Sequence, residues 1–278
     1  MFFLQLKNEL WKLFGKKRTY IGFAMLLLAE NGISFGLYKT HFSLHKRLLE
    51  ENGYVPDTYF SALTTAIIVL APIAPLLLPL YVALIGGDLV AKEAEDGTLR
   101  MILCRPISRV RLLVTKWLAG AVFSVTLVVA LAIFGILCAR LWFPWGGLFV
   151  WDPDDKIFSM FEASEGMQRY MAAMLLMLAE AFSIMGVAFM MSCFNVKPAA
   201  ATILALSLLL ADFICYHIPY FQDYRAYFFT YHARVWICVL NEHIAWWRIW
   251  QSLSVLTGLN LTFLVIGCTA FQVRDIKS

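Results

Sequence analysis

Charged side chains are scarce in this chain. Asp, Glu, Lys and Arg make up 15% of its 278 residues, whereas about 25% is usual in soluble domains. Apolar residues make up 61%, and the mean hydropathy is +0.71. A soluble domain of this size could not cover its surface with so few charges. The composition excludes soluble and disordered classes and predicts an integral membrane protein.

Other compositional signals are also missing. Six cysteines do not form a disulfide framework, because most of them lie in apolar stretches where cysteine is a small core residue. The counts of 16 glycines and 9 prolines are ordinary, which excludes collagen-like and low-complexity classes. A net charge of +4 without a basic stripe gives no indication of nucleic-acid binding.

Catalytic motifs are absent as well. Gly15-Lys16-Lys17 lacks the upstream glycine and the Ser or Thr of a phosphate-binding loop. His41 and His45 have the spacing of a zinc helix, but no glutamate and no third ligand accompany them. We therefore predict no metal site, no bound cofactor and no enzymatic activity in this chain. Any nucleotide chemistry must come from another subunit.

Long apolar runs dominate the sequence. A membrane-spanning helix needs about 20 mostly apolar residues, and six runs satisfy this within one domain, 1–278: 20–38, 63–90, 116–139, 170–194, 199–219 and 252–273. With the N-terminus inside, the inner segments carry 14 Lys and Arg residues, against nine in the longer outer segments. The positive-inside rule then places both termini in the cytoplasm. The predicted fold is all-α, with six transmembrane helices.

Residues 1–18 precede the first span. Apolar residues recur there at helical spacing, the charged residues lie mostly off that stripe, and Trp11 is an interfacial anchor. This pattern predicts an interfacial helix that lies in the headgroup plane. The alternative is a solvated basic segment that only sets the topology.

The second span contains three prolines. Pro72, Pro75 and Pro79 lie on one helical face, and each removes a backbone donor. They indicate either a bent helix that lines a cavity or a helix shaped only for packing.

The segment 220–251 is the most aromatic part of the chain, and aromatic rings prefer the membrane–water interface. Its stretch 233–240 is apolar but too short to cross a bilayer. We expect short re-entrant or interfacial helices before the sixth span. A plain aromatic belt is the alternative.

Three acidic residues fall within spans: Glu30, Glu180 and Asp212. Because a charge in the bilayer is costly, these residues should face protein or water. Together with the three prolines, they are candidates for a translocation path or a cation relay. The alternative is hydrogen bonding between helices.

The segment 91–108 carries the strongest functional pattern. An acidic stretch leads to Gly97, which would allow a special backbone geometry or a close approach, and to Thr98, which could cap a short helix. An apolar cluster follows, so this cytoplasmic helix is suited to docking in a groove on a partner. The candidate docking residues are Glu93, Glu95, Asp96, Gly97, Thr98, Leu99, Ile102 and Leu103.

This segment resembles the signature of type-2 ABC exporter permeases. The resemblance is carried by Glu95-x-Gly97-Thr98-Leu99-Arg100-x-x-Leu103-x-Arg105-Pro106-x-Ser108-Arg109, by Lys116, and by the C-terminal Phe271-x-x-Arg274-Asp275-Ile276. Six spans, an N-terminal interfacial helix and short helices before the last span also match, so the resemblance covers essentially the whole chain.

The resemblance implies a permease subunit without its own ATPase site. Two copies, or this chain and a relative, would pair in the cytoplasmic membrane of a prokaryote and dock two ATP-binding subunits through a coupling helix. Those partners would bind ATP and magnesium, and substrate would move outward between the membrane halves. The rival functions are a cation-coupled secondary transporter using Glu30, Glu180 and Asp212, and a membrane-embedded enzyme.

Overall fold

The computed structural model describes residues 2–40, 59–104, 108–153 and 157–273. Within these ranges, six helices are long and apolar enough to cross a membrane, which confirms the predicted all-α membrane class. They are α2 (Lys17–Lys39), α3 (Ala62–Glu95), α5 (Arg109–Trp142), α6 (Ala163–Cys193), α7 (Pro198–His217) and α9 (Trp246–Val273). The shorter helices are α1 (Phe2–Phe14), α4 (Thr98–Leu103) and α8 (Phe229–Ala233). His41, His45 and Arg274–Ile276 lie outside the described ranges.

Two of the long helices extend well past a bilayer. Helices α3 and α5 have 34 residues each, which corresponds to about 51 Å at 1.5 Å per residue, against a hydrocarbon thickness of about 30 Å. The apolar runs 63–90 and 116–139 are shorter than the helices, which run on to Glu95 and back to Arg109. Backbone hydrogen bonding does not require apolar side chains, so hydropathy marks only the membrane portion.

The helices place the connections at two opposite ends. The basal end carries α1, the connection from α3 through α4 to α5, and the turn between α6 and α7. The distal end carries the connection from α5 to α6 and the aromatic segment before α9. These two names are used below.

Helices α3 and α6 form the centre of the bundle. Of the most apolar stretch of α6, 67% is buried, against 11% for α9 at the periphery. Gly87 of α3 allows close contact with α7, because a Cβ there would lie 3.1 Å from the backbone nitrogen of Thr202. The exposed apolar faces of the outer helices are those available to lipid or to a second chain.

A β-hairpin at the distal end was not predicted. Strand β1 (Leu148–Asp152) pairs antiparallel with β2 (Ile157–Phe161). The hairpin is joined to the start of α3, because the Ser61 hydroxyl donates to the carbonyl of Gly147 and the Phe149 N–H donates to Thr64 Oγ1 at 2.9 Å. Alternate burial of Ile157, Ser159 and Phe161 is the period-two pattern of a half-buried strand.

Short helices precede the sixth span, as predicted. A 3₁₀ segment (Pro219–Tyr227), α8 and a second 3₁₀ segment (Arg234–Leu240) follow one another. The apolar stretch 233–240 is buried in the protein, where Val235, Cys238 and Val239 pack beside α6 and α9. Its apolar side chains therefore contribute to tertiary packing.

Helix α1 lies against the basal end of the bundle. Leu13 is buried, and its carbonyl accepts a hydrogen bond of 2.7 Å from the Thr19 hydroxyl. Phe3 and Trp11 remain exposed on the other side, as expected for a helix with one face toward lipid.

Candidate coupling and translocation sites

The turn after α3 is set by one glycine. Asp96 ends the helix, with its N–H bonded to the carbonyl of Lys92 at 2.9 Å, and Gly97 follows with a φ of +71°. A left-handed residue after a helix strongly favours glycine. No atom lies within 4 Å of a Cβ built on Gly97. The glycine is therefore favoured by the backbone conformation and not by a close contact with a neighbour.

The surface of this turn is charged and exposed. Lys92 Nζ lies 2.6 Å from Glu95 Oε2 and 3.2 Å from Asp96 Oδ1. Thr98, expected to cap α4, instead donates its hydroxyl to the carbonyl of Glu93 at 3.3 Å. This bond holds the start of α4 against the end of α3.

The placement of Leu99 corrects one expectation. Its side chain is 1% exposed and belongs to the core of this chain, so it cannot fill a groove on a partner. Met101 is 67% exposed and is the described apolar side chain of α4 that faces outward. The amphipathic pattern predicted a helix, and α4 is helical. The pattern does not indicate which protein covers the apolar face. The side chains of Ile102 and Leu103 are outside the described set.

Glu93 belongs to a cluster of four charges that we name the ionic hub: Glu9, Lys12, Glu93 and Lys116. Lys116 is 1% exposed, and its Nζ lies 2.9 Å from Glu9 Oε2 and 2.8 Å from Glu93 Oε2. Lys12 Nζ lies 2.8 Å from Glu9 Oε1 and 3.1 Å from Glu93 Oε1. The hub joins α1, α3 and α5.

The hub favours the ionised form of Glu9. Burial acts to raise the pKa of Glu9, but Lys116 and then Lys12 outweigh it and hold that pKa below its ordinary value. The role of Glu9 and Lys12 could not be predicted from the sequence, because their partners Lys116 and Glu93 are far away in the chain. The signal that could have found them is Lys116, a lysine at the edge of an apolar run that requires a counter-ion.

The two parts of the sequence signature also meet in space. The Arg109 guanidinium at the start of α5 donates to the carbonyl of Gln272 at 3.1 Å and to that of Phe271 at 3.4 Å. Ser108 caps α5 by accepting from the N–H of Arg111 at 3.3 Å. The contact of Arg109 with Phe271 and Gln272 fixes the end of α9 to the basal end of the bundle.

A large cavity lies at the distal end. Its volume is about 800 Å³, and it is bounded by α3, β1, α6, α7, α8 and the second 3₁₀ segment. Three of the predicted path residues, Pro75, Pro79 and Glu180, line it. Pro72 is exposed on the same helix but is not part of the lining.

The three intramembrane acids are not brought together. Glu30 is fully buried beside Gly135, and neither of its carboxyl oxygens has a hydrogen-bond partner. Asp212 caps α8: it accepts from the N–H groups of Phe229 at 3.0 Å and Thr230 at 2.7 Å, and from the Thr230 hydroxyl at 2.7 Å. Only Glu180 of the three lines the described cavity.

No curated protein matches the chain. The family model described as ABC-2 family transporter protein matches residues 16–222, a region that contains five of the six long helices, the Gly97 turn, α4, the hairpin and Lys116 of the hub. This multi-pass membrane protein is therefore a member of the ABC-2 transporter family, whose chains are the permease subunits of ABC transporters.

Proposed function

We propose that this chain is the permease subunit of an ATP-driven exporter. Two such subunits, identical or related, would dock cytoplasmic ATP-binding subunits at the basal end, and those partners would bind ATP and magnesium. The basal end would face the cytoplasm of a prokaryote, with both termini inside. Cargo would leave through the distal end.

The observation that carries this proposal is the attachment of the exposed Gly97 turn to a buried ionic hub. Glu93 lies four residues before Gly97 and is bound to Lys116 on α5, which in turn binds Glu9 on α1. A partner that moves the turn would therefore move three helices together. Buried ion pairs suit this role because their geometry is defined and costly to break.

Charge distribution supports the proposed orientation. The basal and terminal segments 1–19, 91–116, 195–198 and 274–278 carry 14 Lys and Arg residues, against nine in the opposite segments. Positive residues are retained on the cytoplasmic side of membrane proteins.

The separation of the intramembrane acids favours the exporter over the cation-coupled carrier. A relay requires acids within reach of one another or of a shared water path. Asp212 is engaged in capping α8, and Glu30 is buried outside the lining of the distal cavity.

Partner capture tests the proposal. The chain would be co-expressed with a candidate ATP-binding subunit and purified through a tag on the chain. Met101→Asp places a charge on the exposed apolar position of α4, and we expect it to abolish capture and transport, because burying an unpaired charge is costly. Membrane insertion should be unchanged.

The matched control is Tyr227→Asp, a change at another exposed position, at the distal end. It should keep the partner. Full ATPase capture and full transport by the Met101→Asp variant would contradict docking at α4.

A further inference from the structure

We propose that the distal cavity binds a hydrophobic organic cation, an ammonium or phosphonium with aromatic or aliphatic groups, through the carboxylate of Glu180. The inference rests on the proposed function and names the chemical class of its substrate.

The walls of the cavity are apolar and of suitable size. Small-molecule sites usually measure about 300–1,000 Å³, and this cavity measures about 800 Å³. Ile67 of α3, Leu206 and Leu209 of α7 and Ile184 of α6 contribute aliphatic surface. Such walls would bind the body of an apolar ligand.

Glu180 contributes to the lining a buried carboxyl oxygen without a hydrogen bond. The residue is 6% exposed, and the oxygen is its Oε2. A buried carboxylate without a counter-ion is costly, so a cation that reaches Glu180 offsets that cost. Asp152 and Arg234 also line the cavity, and they bind each other at 3.1 Å. Glu180 is then the acid of the described lining that is not in a described ion pair, and a bound cation would favour its ionised form.

The prolines of α3 free backbone acceptors in residues of the same wall. Pro72, Pro75 and Pro79 have no N–H, so the carbonyls four residues earlier lose their helical donor. Those carbonyls belong to Ile68, Ala71 and Pro75, and all three residues line the cavity. A cation is the ligand that carbonyl oxygens and a carboxylate both attract.

Aromatic rings complete the match. Phe149, Phe213, Phe229 and Trp236 line the cavity, and ring faces attract organic cations. An anion of the same shape would gain the apolar contacts but would meet the carboxylate and the carbonyl oxygens. The cavity thus discriminates by charge.

Two probes of nearly equal shape and opposite charge test this directly. The purified chain alone, in nanodiscs of zwitterionic lipid, would be titrated with radiolabelled tetraphenylphosphonium and with tetraphenylborate, with empty nanodiscs as background. We expect saturable binding of the cation and none of the anion above background. Glu180→Gln should weaken cation binding by about tenfold or more, because the charge–charge attraction to the ligand is lost.

Glu30→Gln is the matched control, because Glu30 is an equally buried membrane acid outside the cavity lining. It should leave the affinity for tetraphenylphosphonium unchanged. Should the Glu180→Gln variant not fold, Ala71→Trp, an exposed position of the lining, fills the cavity instead and should also remove binding.

Three results would overturn the inference: cation binding no greater than in empty nanodiscs, equal affinity in the Glu180→Gln variant, or equal binding of tetraphenylborate. The last result would indicate a slot for a lipid chain or for a second copy of this chain. Because the assay contains no ATP-binding subunit, its failure leaves docking at α4 untouched. Failure of partner capture would likewise leave cation binding unaffected.

Discussion

The basal and distal ends of this protein are held together by different means. At the basal end, four charges of the ionic hub form ion pairs among three helices, around a lysine that is 1% exposed. At the distal end, a hairpin, short helices and aromatic side chains enclose a cavity of about 800 Å³. The ion pairs described there are Asp152–Arg234 in the cavity lining and Glu165–Arg169 at the start of α6. Buried ion pairs connect the helices at the basal end, whereas the distal end surrounds a cavity with mostly apolar walls.

The difference corresponds to the work proposed for each end. Paired buried charges allow few alternative geometries, because separating them leaves an unpaired ion, so they suit transmission of a movement. Apolar walls accept ligands of varied shape, because dispersion contacts are not directional. We infer that force enters at the basal end and that cargo is contacted at the distal end.

Removing the central cation should have the largest effect. Lys116→Met leaves Glu9 and Glu93 facing each other with only the half-exposed Lys12 nearby. We expect a loss of about 3–5 kcal/mol in the free energy of unfolding in detergent micelles. The control is Lys92→Met, which removes exposed pairs with Glu95 and Asp96 and should change the free energy of unfolding far less, because solvent screens exposed pairs. Equal losses in the two variants would remove the distinction between the ends.

The two apolar side chains of α4 should differ next. Leu99→Ala empties a fully buried position and should cost about 2–5 kcal/mol of unfolding free energy. Met101→Ala changes an exposed position and should cost less than about 0.5 kcal/mol. Comparable destabilisation by both would mean that α4 does not pack as described.

At the distal end, loss of the α8 cap should have a smaller, local effect. Asp212→Ala removes three hydrogen bonds to Phe229 and Thr230, and we expect a cost of about 1–2 kcal/mol. Amide hydrogen exchange across 226–233 should accelerate, while exchange at the ionic hub stays unchanged. An Asp212→Ala variant with normal exchange and no transport would instead place Asp212 on a cation path.

Acid should loosen the distal end slightly. The His232 Nε2 lies 3.0 Å from the carbonyl of Ala226, so that nitrogen carries a proton, and Nδ1 accepts from the Ser252 hydroxyl at 3.1 Å. Burial lowers the pKa of His232. A lowered histidine pKa stabilises the fold above the ordinary value of 6.5, and this stability is lost as pH falls through the lowered pKa.

Hydrogen exchange of residues 226–252, corrected for intrinsic rates, should therefore increase between pH 7 and pH 5. The dependence should disappear in the His232→Gln variant and persist in His243→Gln, which changes an exposed histidine. An unchanged pH dependence in His232→Gln would assign it to another group.

Hydropathy and local motifs predicted much of the basal end. The apolar runs indicated six spans, and the left-handed Gly97 follows from a glycine at a helix end. The ionic hub could not be predicted from hydropathy or local motifs, because Glu9 and Lys116 are 107 residues apart and only tertiary structure brings them together. Leu99 was assigned to a partner because periodicity shows that a face is apolar without showing what covers it.

The distal end was less predictable. The strands are five residues each and interrupt a loop that shows no long alternating pattern. All three acids were recognised in the sequence by the same signal, a charged residue within an apolar run. In the structure, Glu180 lines the cavity, Asp212 caps a helix and Glu30 is fully buried in the bundle. The cost of a buried charge indicates only that each acid needs a polar or protein environment. The choice among these environments is made by packing.

Labelling of Cys104 tests most directly whether the basal end is the cytoplasmic docking surface. Cys104 is exposed at the end of the α3–α4 segment, and the other five cysteines would be replaced by alanine. We predict that an impermeant maleimide labels Cys104 in inside-out vesicles but not in intact cells, and that added ATP-binding subunit blocks the labelling. A cysteine placed at Asp223, in an otherwise cysteine-free chain, should show the opposite sidedness. Labelling of Cys104 in intact cells, or in inside-out vesicles saturated with the partner, would contradict the account.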